Sequence, residues 1–329
     1  MKPDYNNKIF NIKSPEEFEA IALDLFHYQA SDNSIYKEFI NRLGVKPAEV
    51  KRIENIPFLP IEFFRNHIIL TGFTEAKTFF ESSGTTSMKK SRHYIADLSI
   101  YDESLLRGFR FFYGEPENYL IAGLLPSFTE RPHSSLSYMV DKLIECGADK
   151  KSGFFSDDYK YLTSLLKSSL KKGRKAMLIG VSYTLIDFAE KKPGDLTGLI
   201  IVETGGMKGL RKEITREELH TMLKNSFGVS KVHSEYGMTE LLSQAWSHDR
   251  GLFRCPPWMK VLVREINDPL AVTSEPGKSG AINIIDLANI NSCAFIATGD
   301  IGKIHDGGLF EVTGRYDHSE ARGCNMMIE

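Results

Sequence analysis

The sequence predicts an α/β protein in which a region of alternating strands and helices is followed by a β-rich region. From about residue 77 to residue 250, short apolar runs alternate with helical patterns, which is typical of βαβ units with mostly parallel strands. Beyond residue 251 the helical patterns stop, and strand-like runs continue to residue 313. With 329 residues and 42% hydrophobic content, the chain is long enough to form a large buried core.

The segment before this region, residues 1–76, is predicted to be a helical lead-in. Ser14 stands at a predicted N-cap and Pro15 at the first helical position. Glu17 lies where a capping box requires an acid, and the apolar positions that follow, beginning with Phe18, recur with a helical period. We therefore expect this helix to bury one face in the core.

The same patterns predict the individual elements of the two later regions. In the α/β region they predict buried strands at 78–81, 119–125, 176–181, 199–203 and 231–233, with helices at 135–146, 157–170, 184–190 and 216–225. In the β-rich region they predict antiparallel strands at 258–264, 280–286, 294–297, 302–305 and 309–312, with a hairpin turn at 306–308. No repeat or long linker divides the sequence, so residues 1–329 are expected to form a single domain with 314–329 as its tail.

The composition excludes several classes of function. The formal net charge is -2 and both signs are mixed along the chain, so no basic field for nucleic acid is expected. No stretch approaches the roughly 20 apolar residues of a membrane helix, and the N-terminus lacks a signal-peptide core; together these features predict a cytoplasmic protein without a membrane span. The four cysteines show no Cys-x-x-Cys spacing, so neither a disulfide framework nor a structural zinc site is indicated.

A run of hydroxyl residues and glycine, followed by two lysines, is the most informative motif of the chain. Glycine lets the backbone approach an anion, hydroxyls and successive N–H groups donate to phosphate oxygens, and lysines supply charge. The motif is not a Walker loop, and a plain turn is the alternative interpretation. The candidate phosphate-binding residues are Ser82, Ser83, Gly84, Thr85, Thr86 and Ser87, ahead of Lys89 and Lys90.

A second motif, around Tyr236, adds the contacts that a nucleotide would need. Tyr236 offers an aromatic face to adenine, and Gly237 follows it directly. Thr239 is assigned to the α-phosphate, and Glu240 to a Mg2+ ion that bridges the phosphates. Read in order with the hydroxyl-rich loop, this motif predicts an enzyme that handles ATP.

Asp300 and Arg315 supply the remaining predicted nucleotide contacts. The carboxylate of Asp300 offers two oxygens to the vicinal hydroxyls of ribose, and Arg315 is assigned to a ribose or phosphate oxygen. Each residue also has an ordinary alternative, as a turn acid or a surface ion pair. Because every candidate segment follows a predicted strand, and ligands collect at the carboxyl ends of parallel strands, we expect the segments to lie at such strand ends.

Further positions are candidates for the substrate side of the site. Gly205 and Gly206 follow a predicted strand and are assigned to the adenine edge and the mouth of an acyl tunnel, with a wide turn as the alternative. His133 is assigned to the substrate carboxylate, with a capping or surface role as the alternative. Apolar residues that would line an acyl pocket, or else pack in the core, are Phe109, Phe111, Phe112, Leu124 and Leu125.

In their order along the chain, these motifs resemble the core motifs of the adenylate-forming enzymes, the acyl-CoA synthetase and luciferase superfamily. The matching segments are 82–87, 236–240, 298–300 and 314–317. Segments 126–136, 255–259 and 322–325 resemble the acyl-protein synthetase (LuxE-like) branch, so the resemblance covers essentially the whole chain. It implies the large-domain fold of these enzymes, with mixed and parallel sheets flanked by helices and a β-rich part.

The resemblance also implies a two-step reaction. A carboxylate attacks the α-phosphate of ATP, with Mg2+ as cofactor, to give an acyl-adenylate and pyrophosphate, and the acyl group then passes to a thiol. In the acyl-protein synthetase branch the substrate is a fatty acid and the acceptor is a cysteine near the C-terminus, the place that Cys324 occupies here. Delivery to an acyl-CoA reductase (LuxC-like) partner and an oligomeric state are further implications of this resemblance.

One departure from the superfamily keeps alternatives open. The sequence ends soon after Asp317, so the mobile C-terminal domain of larger members, with its adenylating lysine, is expected to be missing. A second hypothesis keeps the adenylation and makes coenzyme A the acceptor, as in phenylacetate-CoA ligases. A third is a nucleotide- or acyl-binding subunit without turnover.

Overall fold

The computed structural model describes residues 5–72, 75–83, 89–147, 149–156, 158–206, 211 and 214–315. The chain divides into two units. The split unit is formed by Met1–Ala76 together with Pro257–Glu329, and the continuous unit is formed by Lys77–Pro256. The helical lead-in and the β-rich region therefore fold together, and the α/β region is inserted between them in sequence.

Helices make up most of the N-terminal part of the split unit. Its elements are α1 (Tyr5–Ile9), α2 (Pro15–Asp32), α3 (Ser34–Arg42), β1 (Leu59–Pro60) and α4 (Phe63–Asn66), with 3-10 turns at Pro47–Glu49 and Ile53–Asn55. The N-cap of α2 is as predicted, because the Ser14 hydroxyl accepts a hydrogen bond from the Glu17 N–H at 3.2 Å. The Glu17 carboxylate accepts from the Lys13 N–H at 2.8 Å, one residue earlier than in a capping box.

Strands and helices alternate through the continuous unit. Its elements are β2 (Thr78–Glu81), β3 (Arg92–Ile95), α5 (Leu98–Tyr113), β4 (Tyr119–Leu124), α6 (Ser135–Cys146), β5 (Gly153–Phe154), α7 (Tyr159–Lys171), β6 (Lys175–Val181), α8 (Ser182–Glu190), β7 (Ile200–Thr204), α9 (Arg216–Phe227), β8 (His233–Tyr236), β9 (Ala245–Ser247) and β10 (Leu252–Phe253), with a 3-10 turn at Pro116–Asn118. Strand β2 and helix α6 have the predicted bounds. None of the helices in the described ranges is long and apolar enough to cross a bilayer.

The main sheet of the continuous unit has the order β5-β4-β6-β7-β8-β9. The strands from β5 to β8 pair in parallel, as the βαβ pattern predicts, and β9 runs antiparallel to β8. Side chains on both faces are buried: Leu178 packs in the cluster with α7, α8 and α9, whereas Met177 and Ile179 pack in the cluster with α5 and α6. This two-sided core fixes the strand ends that carry the candidate site.

Antiparallel strands form the sheet of the split unit. The strands β11 (Met259–Arg264), β12 (Val272–Thr273), β13 (Ser279–Asp286), β14 (Phe295–Ile304) and β15 (Phe310–Arg315) lie in the order β15-β14-β13-β11-β12, and β1 pairs with β14 in parallel. The turn predicted at 306–308 is a 3-10 turn, Asp306–Gly308, between β14 and β15. The two strands predicted at 294–297 and 302–305 are one continuous strand, because the residues between them keep pairing with β13 and β15 through register shifts.

Candidate active site

The hydroxyl-rich loop connects two antiparallel strands. Strands β2 and β3 pair with Glu81 opposite Arg92. At the neck of the loop, the Ser82 N–H donates to the Ser91 carbonyl and the Ser91 N–H donates to the Ser82 hydroxyl oxygen, both at 3.0 Å. This hairpin forms a sheet of its own, so the prediction that the loop follows a strand of the parallel sheet is wrong. Ser83 is described, whereas Gly84, Thr85, Thr86 and Ser87 lie outside the described residues.

Charged side chains lie at the base of this loop. The Glu81 carboxylate pairs with Lys90 Nζ at 2.8 Å and with Arg92 Nε at 3.0 Å. The hydrogen bond from Lys90, with help from Arg92, lowers the pKa of Glu81. Together with Lys89 these side chains line a cavity of about 350 Å³. An anion at this place would compete with Glu81 for the charge of Lys90.

His133 lies against the same hairpin. Its ring stacks on Phe79 of β2, with centroids 4.2 Å apart and 13° between the planes. Its Nδ1 lies 3.3 Å from the Phe79 carbonyl oxygen, and the Glu81 N–H donates to the His133 carbonyl at 2.7 Å. The capping alternative for His133 is wrong, because the N-cap of α6 is Ser134. His133 is exposed, so its ring is accessible beside the loop.

Two candidate segments share the carboxyl edge of the parallel sheet. Strand β7 ends at Thr204 and β8 ends at Tyr236, and Thr204 pairs with Glu235. Gly205 and Gly206 follow β7 directly. Gly205 has a φ of +65°, a conformation that favours glycine. The structure therefore brings the glycine pair and the Tyr236 motif to neighbouring strand ends.

The residue before Tyr236 is a carboxyl that sequence analysis missed. Glu235 accepts a hydrogen bond from the Thr204 hydroxyl. Burial raises the pKa of Glu235 to about 7, and the charge of Glu203 contributes to this rise. A Cβ atom added to Gly237 would overlap the Glu235 carboxyl, so a larger residue there would require this side chain to move. Glu235 thus keeps a proton close to neutral pH at the end of β8.

Glu203, in turn, is held by side chains from two helices. Its carboxylate lies 3.6 Å from Arg216 Nε and 3.5 Å from His220 Nε2, both on α9. Ser182, at the start of α8, lies 3.5 Å from the same carboxylate and donates to the Gly205 carbonyl at 3.0 Å. This network fixes the backbone that leads into the glycine pair.

A buried histidine connects the hairpin to the Tyr236 motif. His93 lies on β3 with its Nδ1 3.1 Å from the Thr239 carbonyl oxygen. Burial lowers the pKa of His93 to about 4, so the ring is neutral at neutral pH. Glu240, the next residue after Thr239, is 5% exposed, and the Tyr236 ring packs on Phe253 with centroids 5.7 Å apart. Sequence analysis missed His93, because its contact with Thr239 joins residues that are 146 positions apart in the chain.

Asp300 and Arg315 lie opposite each other on two adjacent strands of the split unit. They pair in register on β14 and β15, and Arg315 Nε lies 3.6 Å from the Asp300 carboxylate. The Asp300 N–H donates to the Thr298 hydroxyl at 3.1 Å. The strands are antiparallel as predicted, but both residues lie within them, so the prediction that these residues follow the ends of strands is wrong. The exposed guanidinium of Arg315 and the partly exposed Asp300 carboxylate leave both groups accessible.

Arg264 fixes the strand that carries Asp300. Its Nη2 donates to the Thr298 carbonyl at 2.7 Å, and its Nη1 donates to the Asn283 side-chain oxygen at 2.6 Å and the Ile282 carbonyl at 2.8 Å. The Thr298 hydroxyl donates to the same Ile282 carbonyl at 2.9 Å. Sequence analysis missed Arg264, whose only signal is a charge that ends the apolar run of β11.

Glu240 is the described residue whose side chain is assigned to a Mg2+ ion. No group of three or more His, Cys, Asp or Glu side chains in these ranges is arranged to hold a metal. The Glu240 carboxylate is an oxygen donor of the kind Mg2+ prefers, and Mg2+ is commonly held by one or two carboxylates together with substrate phosphates. The donor set therefore fits a nucleotide-borne Mg2+. The predicted thiol acceptor, Cys324, lies outside the described residues.

The fold is that of the large domain of adenylate-forming enzymes. The 2-hydroxyisobutyryl-CoA ligase in complex with 2-HIB-AMP and CoA matches with a TM-score of 0.69 and 14% identity, over 94% of this chain and 70% of that one. ATP-bound MatB from Rhodopseudomonas palustris matches with a TM-score of 0.55 and 17% identity, over 74% of this chain. A long-chain-fatty-acid-CoA ligase (FadD1) from Archaeoglobus fulgidus matches with a TM-score of 0.52 and 15% identity, over 74% of this chain and 52% of that one.

These similarities concern the fold. The match to MatB covers 49% of its chain, so this chain spans about half its length. At identities of 14 to 17%, activity and substrate do not follow from the likeness. No protein-family model and no curated protein matches the sequence.

Proposed function

We propose that this protein activates a carboxylic acid with ATP, releasing pyrophosphate, and then transfers the acyl group to a thiol. One observation carries the proposal: the chain shares its fold, over 94% of its length, with a CoA ligase captured with 2-HIB-AMP and CoA. The segments that resemble adenylate-forming motifs support it, because Tyr236 and Gly205 lie at neighbouring strand ends of one sheet. Ligands bind at such ends in parallel sheets.

In the first step, an oxygen of the substrate carboxylate attacks the α-phosphorus of ATP. A P–O bond forms, the bond from the α-phosphorus to the bridging oxygen breaks, and pyrophosphate leaves with the electron pair. We assign Tyr236 to adenine, Thr239 to the α-phosphate, and the loop 82–87 to the β- and γ-phosphates. His133 is assigned to the substrate carboxylate, which its exposed position on the hairpin supports.

Glu240 is the residue assigned to Mg2+, which when bound neutralises phosphate charge. Asp300 and Arg315 are assigned to the ribose. Their support is that Asp300 has its backbone fixed by Thr298 and keeps a partly exposed carboxylate. A carboxylate held in this way can accept hydrogen bonds from two neighbouring hydroxyls.

In the second step, a thiolate attacks the acyl carbon. A C–S bond forms, the C–O bond to the phosphate breaks, AMP leaves, and the thiol proton passes to water. We assign Cys324 as the acceptor and a fatty acid as the substrate, on the resemblance of the C-terminal segment to acyl-protein synthetases. Transfer onward to an acyl-CoA reductase (LuxC-like) partner, in a cytoplasmic oligomer, belongs to the same proposal.

Coenzyme A is the second candidate acceptor. It is favoured by the fold neighbours, because two of the solved structures with this fold are CoA ligases by name. The two acceptors differ in where the acyl group ends, which a mass measurement separates directly.

The test is intact-mass analysis of the wild type and Cys324→Ser after incubation with ATP, Mg2+ and a mixture of fatty acids, with pyrophosphate followed in parallel. We expect a hydroxylamine-labile acyl adduct on the wild type that is lost in Cys324→Ser, with pyrophosphate release in both. Cys255→Ser, at a partly exposed cysteine of the described residues, is the control and should keep the adduct.

Each other outcome leads to a different conclusion. Pyrophosphate release without an adduct, together with formation of acyl-CoA when coenzyme A is added, would show that the acyl acceptor is coenzyme A and not Cys324. Nucleotide binding without pyrophosphate release would contradict the proposal and favour a binding subunit.

A further inference from the structure

A polar contact of the continuous unit, not assigned to any role above, joins two segments that are 146 residues apart in sequence. His93 Nδ1 lies 3.1 Å from the carbonyl oxygen of Thr239. A carbonyl oxygen only accepts, so Nδ1 carries the proton and donates. The contact therefore fixes both the tautomer of the ring and the position of the Thr239 backbone.

The donor belongs to the hairpin that carries the hydroxyl-rich loop. His93 pairs with Phe80 across β2 and β3, and both side chains are buried. Phe80 packs on Tyr101 and Tyr138, each with ring centroids 5.4 Å away, which anchors the hairpin on α5 and α6. The hairpin is thus fixed in the core, and His93 extends from it to Thr239.

The acceptor lies next to the residues assigned to the phosphates and the metal. Thr239 and Glu240 follow the end of β8 outside any helix or strand, so strand pairing does not fix them. A side-chain donor from a neighbouring element replaces that support. Because the ring is buried, loss of this donor would leave the Thr239 carbonyl without its hydrogen bond from His93.

We propose that His93 is a positioning residue that holds the Thr239-Glu240 segment against strand β3 of the β2–β3 hairpin. The inference rests on the proposed function, and it names the residue that keeps the carboxylate assigned to Mg2+ at a fixed separation from this hairpin. His93 does not touch the substrate; it acts through the Thr239 backbone. Its effect should therefore appear in the coupling between Mg2+ and ATP.

The test compares His93→Leu, which removes the donor, with His93→Asn, whose amide nitrogen can take the place of Nδ1. Calorimetric titration measures the Kd for ATP with and without Mg2+, and pyrophosphate release measures kcat and KM. In His93→Leu we expect the enhancement of ATP affinity by Mg2+ to fall about tenfold. We expect kcat to fall about tenfold to a hundredfold, as a misplacement of about 1 Å does. His93→Asn should restore both to within about threefold of the wild type.

Tyr119→Phe is the matched control, because it removes another buried side-chain hydrogen bond to a backbone carbonyl, 2.7 Å long, in the same unit. A merely structural loss would lower the folded fraction in both variants and leave the Mg2+ effect unchanged. Wild-type Mg2+ coupling and kcat in His93→Leu, or a failure of His93→Asn to restore them, overturns the inference alone. A wild type that neither binds ATP nor releases pyrophosphate overturns the proposed function with it.

Discussion

The split unit buries mainly amides and hydroxyls, whereas the continuous unit buries side chains that titrate closer to neutral pH. In the split unit, the Gln29 amide donates to the Asn289 and Ile290 carbonyls at 2.9 and 3.1 Å and accepts from the Ala294 N–H at 2.9 Å. Asn33 donates to the Ser292 carbonyl at 2.9 Å in the same manner. These groups stay neutral at every physiological pH.

The continuous unit instead places ionisable groups on strands β3 and β8. Burial raises the pKa of Glu235 to about 7 and lowers the pKa of His93 and of His233 to about 4. We therefore expect pH to change the stability of the continuous unit, which carries the Tyr236 motif, more than the stability of the split unit. The two tryptophans report the units separately, since Trp246 is buried in the continuous unit and Trp258 in the split unit.

The largest expected effect is in the split unit and should not depend on pH. Gln29→Leu keeps the side-chain volume and removes three buried hydrogen bonds, so we expect a loss of about 4 kcal/mol in the free energy of unfolding. Guanidinium unfolding, followed by Trp258 fluorescence in a Trp246→Phe background, measures it at pH 5 and pH 8. If the loss in the free energy of unfolding changed with pH, or were below about 1 kcal/mol, the proposed difference between the two units would be contradicted.

The next effect is in the continuous unit and should depend on pH. The pKa of Glu235 is raised from 4.5 to about 7 in the folded state. Between these values the folded state keeps a proton that the unfolded state has lost, so the contribution of Glu235 to stability is greatest below pH 4.5 and is lost by pH 7. The lowered pKa values of His93 and His233 act in the opposite direction and make stability rise between pH 4 and pH 6.5. The Glu235 shift corresponds to about 3 kcal/mol, and Glu235→Gln, which cannot ionise, should make stability rise more steeply with pH than in the wild type by about this amount.

The measurement follows Trp246 fluorescence in a Trp258→Phe background between pH 4.5 and 8. Glu217→Gln, on the exposed surface of α9, removes the same charge and should leave the wild-type pH dependence in place. If the Glu235→Gln curve kept the wild-type slope, the titrating group would lie elsewhere in the unit.

Local signals predicted the elements whose boundaries are set by their own residues. The Ser14-Pro15 start of α2 and the bounds of β2 and α6 follow from caps and from the period of apolar residues. Helix α5 was missed although Asp97 caps it, accepting from the Ser99 N–H at 3.0 Å. Its apolar residues are candidates for an acyl pocket or for the core, and the structure buries Phe109 in the core while Phe111 is 52% exposed.

The features of the site that the sequence did not predict depend on partner strands and on contacts between residues that are far apart in the chain. The motif around Tyr236 follows a parallel strand as expected, because βαβ alternation is a local pattern. The hydroxyl-rich loop connects antiparallel strands, because only the partner β3 determines the direction of pairing there, and Asp300 lies inside a strand because it pairs with Arg315 on β15. His93 and Arg264 act through hydrogen bonds to distant carbonyls, which no sequence motif encodes.

The smallest effect on stability is expected for a change at Arg315 in the split unit, where the free energy of unfolding and the KM for ATP should respond differently. Arg315 is 83% exposed and lies 3.6 Å from the Asp300 carboxylate, so Arg315→Ala should change the free energy of unfolding by less than about 0.5 kcal/mol. If Arg315 contacts ATP as proposed, the same change should raise the KM for ATP about fivefold to tenfold. Arg52→Ala is a closely matched control, because Arg52 is 71% exposed and pairs with Glu54 at 3.4 Å in the same unit. Equal stabilities with a KM change only at Arg315 would assign it to the nucleotide, whereas equal KM values would leave Arg315 as a surface ion pair.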